Sequence, residues 1–451
     1  MARSHPNHRL KRLLAEAGMS GETLARAVNR TAAESGRVLR YSRKTVAGWL
    51  AGSRPPAPVP ALVAEVLTRR LGRYVSLQET GLSPLPDEPV DPLLATGGRG
   101  REALATLTAA DTGADTRAAL RGLPLRPSAT PPAWAEAEPG PARGEWCLGA
   151  GDLAALSQTT AHYARVSDTY GGAHSRTALA VYLATDGAAF LAARCDAPTH
   201  AQLLGNLSRL THVLARMCAD CRQNGLAQRY FHVAAQLAVE AGDRTQYAVT
   251  LRAMSAQLSR LGHRGTELAL SAWRAAPEDA SPAIKSFLLS NLAVVHAAAG
   301  RERRALDVLS DATTLHGGRD EPPAPPFSGY PLAALHYQRG HVLQSLGDYD
   351  RAGAALAASL RHRSPFAHRA RALTLAKLGE VLLLEGRLEK ACEVTDRLLE
   401  DYGRIRCPST TNRVRSLRTR LMPHARRPAV RSAIGRLEGY TAQQGSPAFT
   451  R

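Results

Sequence analysis

The sequence predicts an all-α protein: a small N-terminal helical bundle, a Pro-rich connection and a long C-terminal array of helical hairpins. Three observations carry this. Alternating β-branched and aromatic residues, the mark of strands, are nearly absent. Apolar residues recur instead at three- and four-residue spacing. In addition, a glycine closes a helical run at Gly187, Gly225, Gly262, Gly300, Gly347 and Gly386, with gaps of 38, 37, 38, 47 and 39 residues. The 451 residues are too many for a single compact core. A hydrophobic fraction of 44% with 22% charged residues excludes wholesale disorder.

The N-terminal module, residues 1–80, reads as four short helices. Leu10, Leu13, Leu14 and Ala17 form the first apolar stripe, and Gly18 ends it. Ser20 is placed to cap a second helix that turns Leu24, Ala25 and Val28 inward. Ser42 is placed to cap a third. There Val46, Trp49 and Leu50 fall at core spacing, Arg43, Lys44, Ala47 and Gly48 point outward, and Gly52 with Pro55 stops the helix. A fourth helix, Val59–Leu71, closes the bundle through Leu62, Val63, Val66 and Leu67.

Residues 81–145 carry ten prolines and read as linker, with one short helix near Arg101–Leu107. Residues 146–440 form the repeat region and 441–451 a tail. Seven positions before each turn glycine stands a small residue: Ala180, Cys218, Ser255, Ala293, Gly340 and Gly379. Five positions after it stands alanine in four cases, Ala192, Ala305, Ala352 and Ala391, with Tyr230 and Glu267 as exceptions. Small residues there let paired helices touch, and the glycine supplies a left-handed turn.

The best copies, Leu332–Leu360 with Gly-Asp-Tyr-Asp-Arg-Ala at 347–352 and Leu373–Leu399 with Gly-Arg-Leu-Glu-Lys-Ala at 386–391, resemble the tetratricopeptide repeat (TPR). The five-proline segment His316–Pro331 reads as a loop between repeats, and the helical run beyond Arg413 as a capping pair. A TPR-like solenoid implies a partner on its concave face, built from the first helix of each hairpin. Counting back from the glycines, Arg222, Arg252, Ser259, Tyr337, His341 and Gln344 are the candidates for binding a protein, peptide or small-molecule effector.

Charge is uneven. The formal balance is +19 overall, with 14 Lys+Arg against 5 Asp+Glu in residues 1–80 and 11 Arg against one acid in 404–451. Basic ends suit phosphate binding or a solvated surface. A helix presenting basic and small residues at its exposed N-terminal end fits a major groove. The pieces Met19-Ser20…Leu24-Ala25-Arg26-Ala27 and Ser42-Arg43-Lys44-Thr45-Val46…Trp49…Gly52…Arg54-Pro55 resemble the XRE-type, lambda-repressor-like helix-turn-helix. The whole chain is similar to actinobacterial regulators that join such a domain to C-terminal TPRs. That resemblance implies a recognition helix with Arg43, Lys44, Ala47 and Gly48 facing base edges of double-stranded DNA, and Ser42, Thr45 and Arg54 nearer phosphates. It also implies a homodimer and control of development or secondary metabolism. Two departures stand out: Arg30–Tyr41 is far longer than the usual turn, and Gly21 replaces the usual glutamine after the second cap.

The remaining motifs are weak. Cys218-Ala-Asp-Cys221 lacks the second ligand pair of a zinc site, and Gly97-Gly98-Arg99-Gly100 sits in the linker. No nucleophile elbow, zincin or Walker sequence is present, so no catalytic residue, metal or cofactor is expected. With no signal-like start, no run of about 18 apolar residues and six scattered cysteines, a cytoplasmic chain with reduced thiols and no membrane contact is expected. Two functional classes follow from the sequence: a DNA-binding transcriptional regulator, or a TPR adaptor acting by protein contacts alone.

Overall fold

The computed structural model describes residues 6–34, 38–56, 58–71, 75, 77–82, 99–127, 129–137, 139–318 and 330–444. The fold is all-α, with a helical, solenoid-like C-terminal region. The N-terminal bundle comprises α1 (His8–Glu16), α2 (Gly21–Glu34), α3 (Arg43–Leu50), α4 (Val59–Leu71) and α5 (Leu77–Thr80). Its core is the set of apolar stripes that helical spacing marks: Leu10, Leu13 and Leu14 with Leu24, Val28, Val46, Trp49, Val63 and Leu67. Asn7 fastens the bundle at three points. Its Oδ1 accepts the Leu10 N–H at 3.0 Å, its Nδ2 donates to Thr80 O at 2.9 Å, and its N–H donates to Leu50 O at 2.9 Å.

The long segment Arg30–Tyr41 is partly helix. α2 runs on to Glu34, burying Thr31 and Ala32, and residues 35–37 lie outside the described set. The returning chain is pinned by Asn29, whose amide accepts from Tyr41 N–H and donates to Tyr41 O, both at 2.9 Å. A Cβ on Gly21 would stand 3.4 Å from Val46, at the edge of ordinary contact, so α2 starts close against α3.

The segment read as linker is, where described, a strap packed on the repeat region. α6 (Gly100–Thr112) puts Leu104 and Leu107 into the large core of the repeats. Gly100 N–H donates to the Glu240 carboxylate. After α7 (Arg117–Arg121) the chain runs without regular structure, exchanging two bonds between Arg126 and Gln228. Tyr247 OH donates to Pro132 O at 2.6 Å, and Trp134 packs on the Tyr247 ring. Proline excluded helix from this stretch but not burial.

The repeat region begins with α8 (Ala150–Tyr170), α9 (Arg176–Tyr182) and α10 (Ala188–Leu191). Hairpins then pair α11 (Ala197–Asp220) with α12 (Asn224–Glu240), α13 (Arg244–Arg260) with α14 (Thr266–Ala275), and α15 (Pro282–Ala298) with α16 (Glu302–His316). α17 (Leu332–Ser345) pairs with α18 (Tyr349–Arg361), α19 (His368–Leu384) with α20 (Leu388–Tyr402), and α21 (Pro408–Leu421) with α22 (Pro428–Gln444). Gly262, Gly300, Gly347 and Gly386 make left-handed turns inside four hairpins, with φ between 70° and 84°. Ala305, Ala352 and Ala391, five residues on from three of them, are fully buried where paired helices touch.

Two turn glycines are corrected. Gly187 ends a π-helical turn, Leu183–Gly187, inside a continuous helical run. Gly225 is the second residue of α12, and a Cβ there would meet Leu123 O at 2.1 Å. It is glycine because the strap's backbone lies on it. The left-handed residue of that turn is Arg222, and Gly242, unmarked by the repeat pattern, makes the next turn.

The array curls until α8 meets α19 and α11 meets α21. Arg369 donates twice to Asp220, at 2.6 and 2.5 Å. Arg406 N–H donates to Tyr170 O at 2.7 Å, and Ala173 N–H donates back to Arg406 O at 3.2 Å. Gly171 and Gly172 permit this closure: a Cβ on the first would sit 2.5 Å from Arg406 O, and on the second 2.7 Å from Met217 Cα.

Candidate functional site

α3 is short and its two faces differ sharply. Val46 and Trp49 anchor it inward, with Tyr41 edge-on to Trp49 at 5.3 Å. Its start is held by Thr45 Oγ1, which accepts the Ser42 N–H at 3.3 Å. On the outer face Ser42, Arg43, Lys44 and Ala47 are exposed, Thr45 and Gly48 are half-buried, and Arg54 is exposed just beyond the helix. Ser53 N–H donates to Gly48 O at 2.9 Å, folding that turn back on the helix. Arg43, Lys44 and Arg54 enter no ion pair among the described residues. Arg40, also exposed, adds a fourth cation close by in sequence. The face thus carries unneutralised charge around a patch of small side chains, a surface suited to an anionic backbone approached at close range.

The bundle docks on the rest of the chain by another side. Pro58, Leu62, Glu65 and Arg69 of the α4 segment share a cleft with Leu123, Arg222 and Gly225. The α3 residues are not part of that lining.

The six candidates for the concave face divide. Arg252 lies with its guanidinium 3.9 Å over the Phe287 ring, between the first helices of two successive hairpins. Tyr337 stacks on His341 at 6.1 Å, and the Arg363 guanidinium lies 6.0 Å over the Tyr337 ring. Burial, then Lys377 and Arg413, pushes the His341 pKa well below its ordinary value. Gln344 stands on the same helix, one turn on from His341. The other two lie elsewhere. Arg222 sits in the α11–α12 turn at φ 65°, facing the cleft under α4. Ser259 lies against its own hairpin, where a Cβ on Gly265 would meet its Oγ at 2.7 Å.

Cations that the glycine count did not reach stand near these candidates: Arg216, Arg260, Arg363, Arg369, Lys377 and Arg413. Eight-residue spacing, as between Arg252 and Arg260 or Arg369 and Lys377, is their only sequence signal. Cys218 and Cys221 of the lone Cys-x-x-Cys are governed by burial, which raises the Cys218 thiol to about 12 and Cys221 well above its usual range. Among the described residues no group of three His, Cys, Asp or Glu is arranged to hold a metal ion. Likewise none of the described helices is long and apolar enough to cross a membrane.

Residues 10–83 match a family model described as the SP15 N-terminal domain. The match runs from within α1 through α5. No curated protein matches the chain.

Proposed function

We propose that the chain is a sequence-specific DNA-binding transcriptional regulator of the XRE type. In this reading α3 enters the major groove, and a TPR-like solenoid binds an effector or supports a homodimer. The observation that carries it is the outer face of α3, where Arg43 and Lys44 stand exposed and unpaired beside Ala47, Gly48 and Arg54. Small side chains let the helix backbone approach base edges, and the cations read guanine or hold phosphate. The family match over residues 10–83 supports treating the bundle as a module in this reading. Control of development or secondary metabolism belongs to the same proposal, as does action in the cytoplasm, at the nucleoid.

The test is a random-oligonucleotide selection with the full chain, followed by gel-shift titration on the winning site. Arg43→Ala with Lys44→Ala should abolish specific binding, leave the melting temperature nearly unchanged, and lower the salt slope of residual binding by about two counterions. If no sequence is enriched at low ionic strength, the adaptor reading takes its place.

A further inference from the structure

Seven cationic side chains gather around the inside of the closed array. They are Arg216 on α11, Arg252 and Arg260 on α13, Arg363 just after α18, Arg369 and Lys377 on α19, and Arg413 on α21. Arg252 feels Arg216 and Arg260; Arg260 feels Arg369 and Arg413; Lys377 feels Arg413. Burial pushes Arg252 down to about 10 and Lys377 to about 8; Tyr330 and Glu380 respectively work against it, and the neighbouring cations add to it. Three carboxylates share the space and are already engaged. Asp220 holds Arg369, Asp168 accepts from Arg216 at 2.7 Å, and Glu380 lies 3.9 Å from Lys377. Arg252, Arg260 and Arg413 are left with no ion pair among the described residues.

A cation kept for solubility points to bulk water, where repulsion is screened. These three lie among other cations. Arg260 is nevertheless exposed to solvent although Asp220, Arg369 and Arg413 surround it, so the space it faces is open rather than packed. Flat groups flank it, the stacked Tyr337–His341 pair and the Phe287 ring under Arg252.

We infer that the inside of the array is a binding site for a small phosphate-bearing anion, with Arg252, Arg260 and Arg413 as its charge contacts and Tyr337 and His341 as a flat flank. Three unneutralised guanidinium groups call for more charge than one carboxylate carries, and their forked donors match phosphate oxygens. The array closes on itself, α8 on α19 and α11 on α21, which favours a small ligand over a folded partner. The inference narrows the effector class of the regulator reading, yet it stands without DNA binding, and the two fail separately.

The experiment uses the full chain at fixed ionic strength, with pyrophosphate, ADP and a polyglutamate peptide as probes in calorimetry and thermal denaturation. Pyrophosphate or ADP should bind and raise the melting temperature. Arg252→Gln with Arg413→Gln should weaken that binding at least tenfold. It should also raise the ligand-free melting temperature slightly, because repulsion is relieved; a purely structural role predicts a fall. Should the double variant fail to fold, Arg260→Gln, at a solvent-exposed position, serves instead and should weaken binding severalfold with unchanged circular dichroism. Absence of binding by both phosphate probes, undiminished binding in the variants, or binding of the peptide alone overturns the proposal. Gel shift with Arg43→Ala and Lys44→Ala reports the DNA reading independently.

Discussion

Asp111 shows how much one residue of an apparent connector can carry. Its two oxygens accept from Arg176 Nη1 at 3.0 and 2.7 Å, and Oδ2 also accepts from Tyr230 OH at 2.8 Å. All three side chains are buried. Such a pair adds little net stability when intact, but removing one member leaves a charge stranded away from water. Asp111→Ala should therefore cost about 3–5 kcal/mol, read as a lower urea midpoint in circular dichroism. A loss below about 1 kcal/mol, the scale of a solvated pair, would mean that Arg176 reaches water. No local pattern signals this partnership, because Asp111 and Arg176 lie 65 positions apart. Arg43 and Lys44 were legible for the opposite reason. Helical spacing alone decides which way they point once Val46 and Trp49 are buried.

Among elements, the glycines separate what local sequence encodes from what only tertiary contact explains. Gly386 turns with φ 75° and open space around its missing Cβ, so its requirement is backbone conformation. That requirement recurs hairpin after hairpin and leaves a period in the sequence. At Gly225 the requirement is closeness, since Leu123 O and Pro124 O stand 2.1 and 2.6 Å from where a Cβ would be. No local pattern records it, which is also why the strap read as linker. Gly386→Ala should cost about 1–2 kcal/mol through left-handed strain alone, with limited proteolysis of residues 122–148 unchanged. Gly225→Ala should cost about 1–3 kcal/mol by overpacking and lift the strap, so cleavage within 122–148 accelerates. Equal cleavage in both variants would show that the strap is held elsewhere, by Trp134 and Tyr247.

At the scale of the whole molecule, pattern-reading supplied a run of hairpins but not their closure. The closing contacts, Arg369 with Asp220 and Arg406 with Tyr170, join helices far apart in the chain. Arg369→Ala should cost about 3–5 kcal/mol by leaving Asp220 buried and unpaired, and should raise the radius of gyration in solution scattering. pH acts on the same assembly through histidines held neutral. Burial, and secondarily Arg69 of α4, lowers His263 to about 4 at the α13–α14 turn. Burial likewise lowers His212, His296, His336 and His341 from the ordinary 6.5. A ring with a folded pKa below its unfolded one takes up its proton more readily in the unfolded chain, so acid favours unfolding. The contribution of these rings is present in full above pH 6.5 and is lost as pH falls below it, for His263 towards about 4. The urea midpoint should therefore drop steeply over that window. Because Arg69 and His263 come from the bundle and the repeats, His263→Gln should remove on the order of 2 kcal/mol of that drop. A His263→Gln profile that overlays the parent's would place the acid sensitivity in the other four histidines.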